Sequence, residues 1–288
     1  MKKVLLIGAS GFLGSNLLQA LIDQNYDVIS LSYRPQNDID FCNKLQLTLL
    51  ELSPKFVINA AASQISGDDP ESLKELNSSN VLLPSYLAWG ITNFCPECSL
   101  ITFGSVWQYN EKKRLPYNAY AASKSASEPM LEHFVQDGLK VVFFILSDSY
   151  GLNDPRNKII NLIVKAVQED KPLKMSGGEQ YIDLIHINDI IEAVFAAIAM
   201  LSKEKNGVFK RYSLQSSKPV KIKEIINIVS KLLGRNVSYL FNLGYYPYSL
   251  RERFFLSSDF PIIDEWTPKK ELEEGLSELL LSDLKTNK

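Results

Sequence analysis

Residues 3–14 read KVLLIGASGFLG. Lys3 to Gly8 is a short apolar run rich in strand formers, and Phe12 to Gln24 carries Leu17, Leu18, Leu21 and Ile22 at helical spacing. Between them Gly8, Gly11 and Gly14 make a GxxGxxG turn that leaves the strand and opens the helix. Glycines here let backbone approach a pyrophosphate, and the helix N-terminus offers unpaired N–H groups and the positive end of its dipole. The turn is therefore read as a dinucleotide cradle formed by Gly8, Ser10, Gly11, Phe12, Leu13 and Gly14. The alternative is a glycine-rich turn with no ligand; the strand before it and the helix after it weigh against that.

Outward from the turn, strand and helix patterns alternate. Strands are expected at Asp27 to Ser32, Phe56 to Asn59, Leu100 to Phe103 and Val141 to Leu146. Helices are expected at Phe41 to Leu52, Leu73 to Thr92 and Tyr120 to Gln136, the last kinked at Pro129. This order predicts an α/β fold, a Rossmann-type doubly wound parallel sheet with helices on both faces. Past Tyr150-Gly151 the pattern loosens, with helices near 159–168, 187–201 and 222–233 and an aromatic stretch from Tyr239 to Phe260. No linker separates this part, so it reads as a smaller C-terminal lobe packed on the first. The expected division is 1–151 with 182–206 in the dinucleotide-binding domain, and 152–181 with 207–288 in the substrate lobe.

Composition narrows the function classes. The 288 residues are 45% hydrophobic and 22% charged, as in soluble globular proteins, with a net charge of −2. Such a chain has no general pull on nucleic acid or anionic membranes, so any phosphate must be held locally. The longest apolar run, Ala193 to Leu201, is far short of the about 20 residues a membrane span needs. The glycines break the N-terminal apolar stretch, which reads as a buried strand and not as a targeting segment. Cys42, Cys95 and Cys98 are too few for a disulfide framework and suit a reducing, cytoplasmic setting. Cys95-Pro-Glu-Cys98 is a CxxC, but zinc needs a second pair or two histidines, and only His133 and His186 exist. No metal is expected, and a loop with two chance thiols is favoured over a redox dithiol.

The end of the second strand bears on the cofactor. An acid there would bind the adenosine 2′-hydroxyl of NAD, whereas an Arg would accommodate the 2′-phosphate of NADP. The residues are Leu31-Ser32-Tyr33-Arg34, with Asp27 at the opposite end of the strand. Arg34 is read as a phosphate clamp, Ser32 as a donor and Tyr33 as an adenine-stacking ring; the alternative for Arg34 is a solvated surface charge. The expected cofactor is NADPH/NADP.

Tyr120-Ala-Ala-Ser-Lys124 is YxxxK, which puts both side chains on one helix face. A tyrosine titrates near pH 10, and a cation one turn away favours its phenolate. Ser105 follows Leu100 to Gly104 at the carboxyl end of a strand, where parallel sheets bind ligands, and its hydroxyl could hold a substrate carbonyl. The alternative is a satisfied turn serine.

Gly8/Gly11/Gly14, Asn59-Ala60-Ala61-Ala62, Asn80, Ser105 and Tyr120/Lys124 together resemble an extended short-chain dehydrogenase/reductase of the NAD-dependent epimerase/dehydratase family. Tyr150-Gly151, the segment from Asp183 to Asp189, and Trp266-Thr-Pro268 with Leu272, Gly275 and Leu276 resemble further motifs of that family. Within its nucleotide-sugar branch, the short stretch before Asp38-Ile39-Asp40 and the run Ser176 to Gln180 are similar to CDP-paratose synthase-like 4-keto-6-deoxy sugar nucleotide reductases. Ile182, Ile145 and Asp148 depart from the Arg, Arg and Asn common there.

The resemblance implies that Asp38, Ile39, Ala60, Ala61, Ala62 and Asn80 join the cofactor site. It implies Ser105, Tyr120 and Lys124 as catalytic residues, and Ser105, Val106, Trp107, Asp148, Lys158, Arg251 and Arg253 as substrate contacts. The two arginines have surface charge as their alternative. His186 reads as a packing residue more than a base, His133 as structural, and Tyr245, Tyr246 and Tyr248 as pocket or core. The implied function is NADPH-dependent reduction of the carbon-4 ketone of a CDP-, dTDP- or GDP-linked 4-keto-6-deoxy sugar in cell-surface polysaccharide (O-antigen) biosynthesis, by a homodimer paired through 73–92 and 120–136. An NAD-dependent 4-epimerase and a non-enzymatic NADPH sensor are the other readings. A dehydratase would want an acidic pair beside Ser105, where Val106-Trp107 stands.

Overall fold

The computed structural model describes residues 2–35, 37–110, 113–249 and 258–282. They fall into two compact units, one drawn from Met1–Leu146, Ile191–Leu214 and Ser258–Thr267, the other from Ser147–Ile190, Gln215–Ser257 and Pro268–Lys288.

In the first unit, β1 (Lys3–Ile7), β2 (Asp27–Leu31), β3 (Phe56–Asn59), β4 (Ser99–Ser105), β5 (Lys140–Leu146) and β6 (Val208–Leu214) form one six-stranded sheet in the order β6-β5-β4-β3-β1-β2. Every neighbouring pair is parallel. Val4–Ile7, Phe56–Ile58 and Val141–Ile145 are buried without alternation, as strands covered on both faces must be. The helices are α1 (Phe12–Asp23), α2 (Asp38–Leu52), α3 (Pro70–Asn77), α4 (Leu83–Phe94) and α5 (Ala119–Val135). From β1 the chain steps to β2 on one side, then crosses back to β3 on the other. Right-handed crossovers in opposite directions put α1 and α2 on opposite faces. Accordingly α1 packs on β1 and β2, whereas α2 packs on α4 and α4 on α5. The reversal falls between β1 and β3, so a crevice opens at their carboxyl ends.

Local chemistry sets the boundaries. Asp38 and Asp40 suit the first turn of α2, which starts three residues before the expected Phe41. Asp69 caps α3 by accepting from Ser72 N, with Pro70 at the first helical position. The expected single helix over 73–92 is instead α3, a π-helical segment Ser78–Leu82 and α4. Pro84 has no N–H for the Asn80 carbonyl, and the helix widens there. By contrast α5 runs unbroken through Pro129.

The expected lobe boundaries are corrected. The expected division puts Val208–Leu214 in the smaller lobe, but it pairs with β5 along its full length, and 258–267 joins the same unit, whereas 147–151 and 182–190 belong to the other. Its apolar residues find the open edge of the sheet, whose N–H and C=O groups need partners. Ser213 then binds residues 258–261, its Oγ lying 2.7 Å from Ser258 Oγ and its N–H donating to the Pro261 carbonyl at 2.8 Å.

In the second unit Asp148–Tyr150 pairs parallel with Leu184–His186. Its helices include α6 (Ile159–Gln168), the start of α7 (Ile187–Leu201), α8 (Ile222–Leu233) and α9 (Leu272–Ser282). Ile163, Ile225, Val229 and Leu276 are in its core. Two buried carboxylates staple its loops: Asp183 accepts from Ser216 N and Ser217 N at 2.6 and 2.9 Å, and Asp189 from Lys269 N and Lys270 N at 2.9 and 3.2 Å. Burial pushes the Asp183 carboxyl up, and those hydrogen bonds pull against it.

A Cβ on Gly14 would overlap the Gly8 carbonyl oxygen, since α1 starts hard against the turn that launches it. Gly14→Ala is therefore expected to cost about 1–3 kcal/mol, read as a lower denaturation midpoint with unchanged slope.

Candidate active site

The turn after β1 and the turn after β3 touch. Gly8 has a φ of +83°, and a Cβ on it would lie 2.6 Å from Ala61 N. Asn59, buried at the end of β3, holds the facing turn by accepting from Ala61 N at 3.2 Å. Gly8, Ser10, Gly11, Ser32, Tyr33 and the three alanines 60–62 line an open cleft of about 510 Å³. Gly11 differs from its two partners. It is exposed, and a Cβ there would meet nothing nearer than Gly8 O at 3.6 Å. The fold does not require glycine at 11; the open side faces whatever enters the cleft. Gly11 also caps α1 and supplies no side-chain hydrogen bond. Its first-turn N–H groups are thus placed to bind an anion. These features fit a dinucleotide pyrophosphate. Phe12 is buried and Leu13 half-buried.

At the end of β2, Arg34 is exposed and Ile39 is exposed on α2. The sequence places no carboxylate here, but the fold brings one: Tyr33 OH donates to Asp38 Oδ1 at 2.7 Å. Burial and then Asp38 push the Tyr33 hydroxyl up, so it stays protonated. Asn80, expected at the cofactor, has its amide engaged by protein. It accepts from Ser63 N at 3.1 Å and donates to Ser63 O at 3.0 Å and Ser123 Oγ at 2.9 Å. It ties the turn after β3 to α5.

Ser105 ends β4 and is buried. Its Oγ accepts from Trp107 N at 3.3 Å, and its N–H donates to Gln108 Oε1 at 2.6 Å, capping the turn Val106–Gln108. α5 packs on β4 and on that turn. Asn118 caps α5, and Tyr120 follows in its first turn, half-buried. One turn on, Lys124 is buried and donates to the Phe103 carbonyl at 2.7 Å. Burial pushes its ammonium down to about 8.

Residues 4–210 match the NAD dependent epimerase/dehydratase family. The chain belongs to that family. It is 28% identical over 250 residues to a CDP-abequose synthase of Yersinia pseudotuberculosis, covering 82% of this chain and 86% of that one. A CDP-abequose synthase of Salmonella muenchen is 24% identical over 242 residues, covering 80% of each chain. The structure of MoeE5 in complex with UDP-glucose and NAD superposes with a TM-score of 0.84 at 19% identity, over 99% of this chain and 100% of that one. An NAD(P) dinucleotide is the typical cofactor of the family.

Of the family-type substrate residues, Val106 is buried, whereas Trp107 is half-buried and edge-on to Tyr117 with ring centres 4.7 Å apart. In the second unit Lys158 lies 3.6 Å from Asp148, so its charge is shared. Arg251 and Arg253 lie outside the described residues. His186 is buried edge-on to Tyr150, and burial lowers its pKa. His133 is exposed on the last turn of α5. Cys95 and Cys98 are buried free thiols, and among the described residues no group of three or more His, Cys, Asp or Glu could hold a metal. No described helix is long and apolar enough to cross a membrane.

Sequence reasoning missed Glu128, which is fully buried. It accepts from Gln108 Nε2, Tyr109 OH, Arg114 and Arg211. The available signal was its spacing: residues 120, 124 and 128 repeat every four on α5, sharing one face.

Two outcomes follow. Gly11→Ala should leave the denaturation midpoint within experimental error yet weaken dinucleotide binding at least ten-fold by fluorescence titration. Lys124 has a folded pKa of about 8 against 10.5 ordinarily, so above about pH 8 the unfolded chain holds a proton that the native state has released. The stability of wild type relative to Lys124→Met should therefore rise with pH between about 8 and 10.5. Denaturant titrations of both proteins across that range check it; a flat or falling difference contradicts a buried ammonium.

Proposed function

We propose that the protein reduces the carbon-4 ketone of a nucleotide-activated 4-keto-6-deoxy sugar, CDP-linked before dTDP- or GDP-linked, with NADPH as reductant. The observation that carries this is the buried Lys124, one turn from Tyr120 and bonded to β4 two residues before Ser105. Bound NADPH would supply hydride to the carbonyl carbon. Ser105 Oγ and Tyr120 OH hold the ketone oxygen, and Tyr120 gives its proton to the developing alkoxide. The Lys124 ammonium stabilises the phenolate left behind. Hydride and proton together reduce the ketone to an alcohol.

Several features support this reading. The relatives above carry the name of a CDP-linked sugar. Val106-Trp107 supplies no acid beside Ser105 for dehydration. Arg34 is exposed just past β2, where a 2′-phosphate would need a cation. The Tyr–Lys pair favours an enzyme over a dinucleotide sensor. An NAD-dependent 4-epimerase is the second reading, and Asp38 favours it by placing a carboxylate against Tyr33 of the cleft. Under the first reading the enzyme works in the cytoplasm on cell-surface polysaccharide precursors, as a homodimer. Exposed Leu73, Leu82 and Met130 on the expected pairing segments suit that assembly.

The test is NADPH oxidation with 4-keto-6-deoxy sugar nucleotides generated in situ. Tyr120→Phe should lower turnover about 100-fold or more, as loss of a general acid does, with NADPH affinity within a few-fold. A charge-assisted contact from Arg34 is worth about 1.5–3 kcal/mol, so kcat/KM should favour NADPH over NADH by about 10- to 100-fold. Arg34→Ala should lose most of that preference through weaker NADPH use. Equal use of NADH by wild type, or purification with tightly held NAD, transfers the assignment to the epimerase.

A further inference from the structure

α5 is joined to the end of β4 by two side chains. Lys124 reaches the Phe103 carbonyl directly. Glu128, one turn further on, reaches Ser105 through an intermediary. Its carboxylate accepts from Gln108 Nε2 at 2.7 Å, Tyr109 OH at 2.6 Å, Arg211 Nε at 2.6 Å and Arg114 at 3.1 Å. Gln108 is also fully buried, and its Oε1 accepts the Ser105 N–H at 2.6 Å. The orientation of that amide follows from its partners: the N–H takes its oxygen and the carboxylate takes its nitrogen. Gly104 makes room for it, because a Cβ there would overlap Gln108 Oε1 and the Phe143 ring. Arg211, on β6, binds both Glu128 and Glu132, so the sheet edge is drawn into the same cluster.

We propose that Glu128, acting through Gln108, is a positioning residue for Ser105. The carboxylate sits on the helix that carries Tyr120 and sets where Ser105 and its turn stand against that tyrosine. This rests on the reading of Ser105 as a hydroxyl that holds the substrate ketone. Glu128 and Gln108 are fully buried and are assigned no contact with substrate.

The experiment has two arms. In the first, Gln108→Met is made in wild type and in Ser105→Ala and assayed with NADPH and CDP-4-keto-6-deoxyglucose. Expected is a loss of kcat of about ten-fold in wild type with NADPH affinity within two-fold, shrinking to under two-fold in the Ser105→Ala background, since groups acting as one unit are not additive. Equal losses in both backgrounds overturn the proposal, because damage spread through the fold would multiply. In the second arm, hydrogen exchange is followed in the cofactor-free protein. Glu128→Met, which leaves Gln108 Nε2 without its acceptor, should speed exchange of the amides of 105–109 and leave those of β1 unchanged. Unaltered exchange at 105–109 overturns the brace whatever the substrate. If Ser105→Ala alone keeps wild-type kcat, the ketone-holding reading of Ser105 fails, and the exchange arm still judges the brace separately.

Discussion

A buried ammonium bonded to one strand-end carbonyl is the interaction on which the rest of the site depends. Taking such a charge out of water is costly, and a group so placed tends to shed its proton. Lys124 responds only in part: its pKa falls to about 8, which leaves it mostly charged near neutrality. The Phe103 carbonyl accepts from it, and Ser105 ends the same strand. Helix α5 therefore cannot slide along β4 without stranding that charge. Tyr120 lies one turn away on the same helix, so the bond that satisfies Lys124 also places the tyrosine. A group needing negative charge nearby is the arrangement in which a half-compensated cation does chemistry, and a phenolate on Tyr120 would supply that charge.

The cleft has a different origin. It follows from reversal of strand order between β1 and β3, which a right-handed chain makes only by leaving a gap at their carboxyl ends. Backbone then closes in from both sides. The near-contact of Gly8 with Ala61 and of Gly14 with Gly8 leaves no space for side chains. Gly11 alone faces open space. Three glycines at one spacing thus divide into two that the fold needs and one that it does not, a distinction the spacing itself does not contain.

That division shows which features sequence can carry. The strands and helices of the first unit follow from apolar runs and periodicity, both local. Tyr120 and Lys124 are legible because four residues are one helical turn. The placement of Val208–Leu214 was not, because nothing within the strand names the edge it joins; β5 lies far earlier in the chain. Asp38 was counted as a cofactor residue, but its hold on Tyr33 depends on how α2 leaves β2. The family resemblance alone puts Asn80 at the cofactor. That its amide bonds Ser63 and Ser123 depends on the π-helical segment that carries it, which no local pattern announces. The Glu128 cluster joins β6, α5 and the turn after β4, and only the α5 spacing could have flagged it.

Cation placement explains how a chain with a net charge of −2 could hold a doubly charged pyrophosphate. Several cations are already matched inside the units. Arg114 and Arg211 serve Glu128, Arg156 is held by Asp154 at 2.7 Å, and Lys158 faces Asp148. Breaking a pair such as Arg211–Glu128, whose carboxylate is fully buried, by removing one partner costs about 3–5 kcal/mol, so Arg211 stays with its carboxylates. The first unit offers backbone for that role instead. The N-terminus of α1, capped by Gly11 with no side-chain hydrogen bond, presents backbone N–H groups and a dipole end of about half a charge. Such a site attracts an anion only at contact range and leaves the exterior field weak. Beside the cleft-lining Tyr33 the chain carries two opposite full charges: Arg34, next in sequence and exposed, and Asp38, which accepts from the Tyr33 hydroxyl at 2.7 Å.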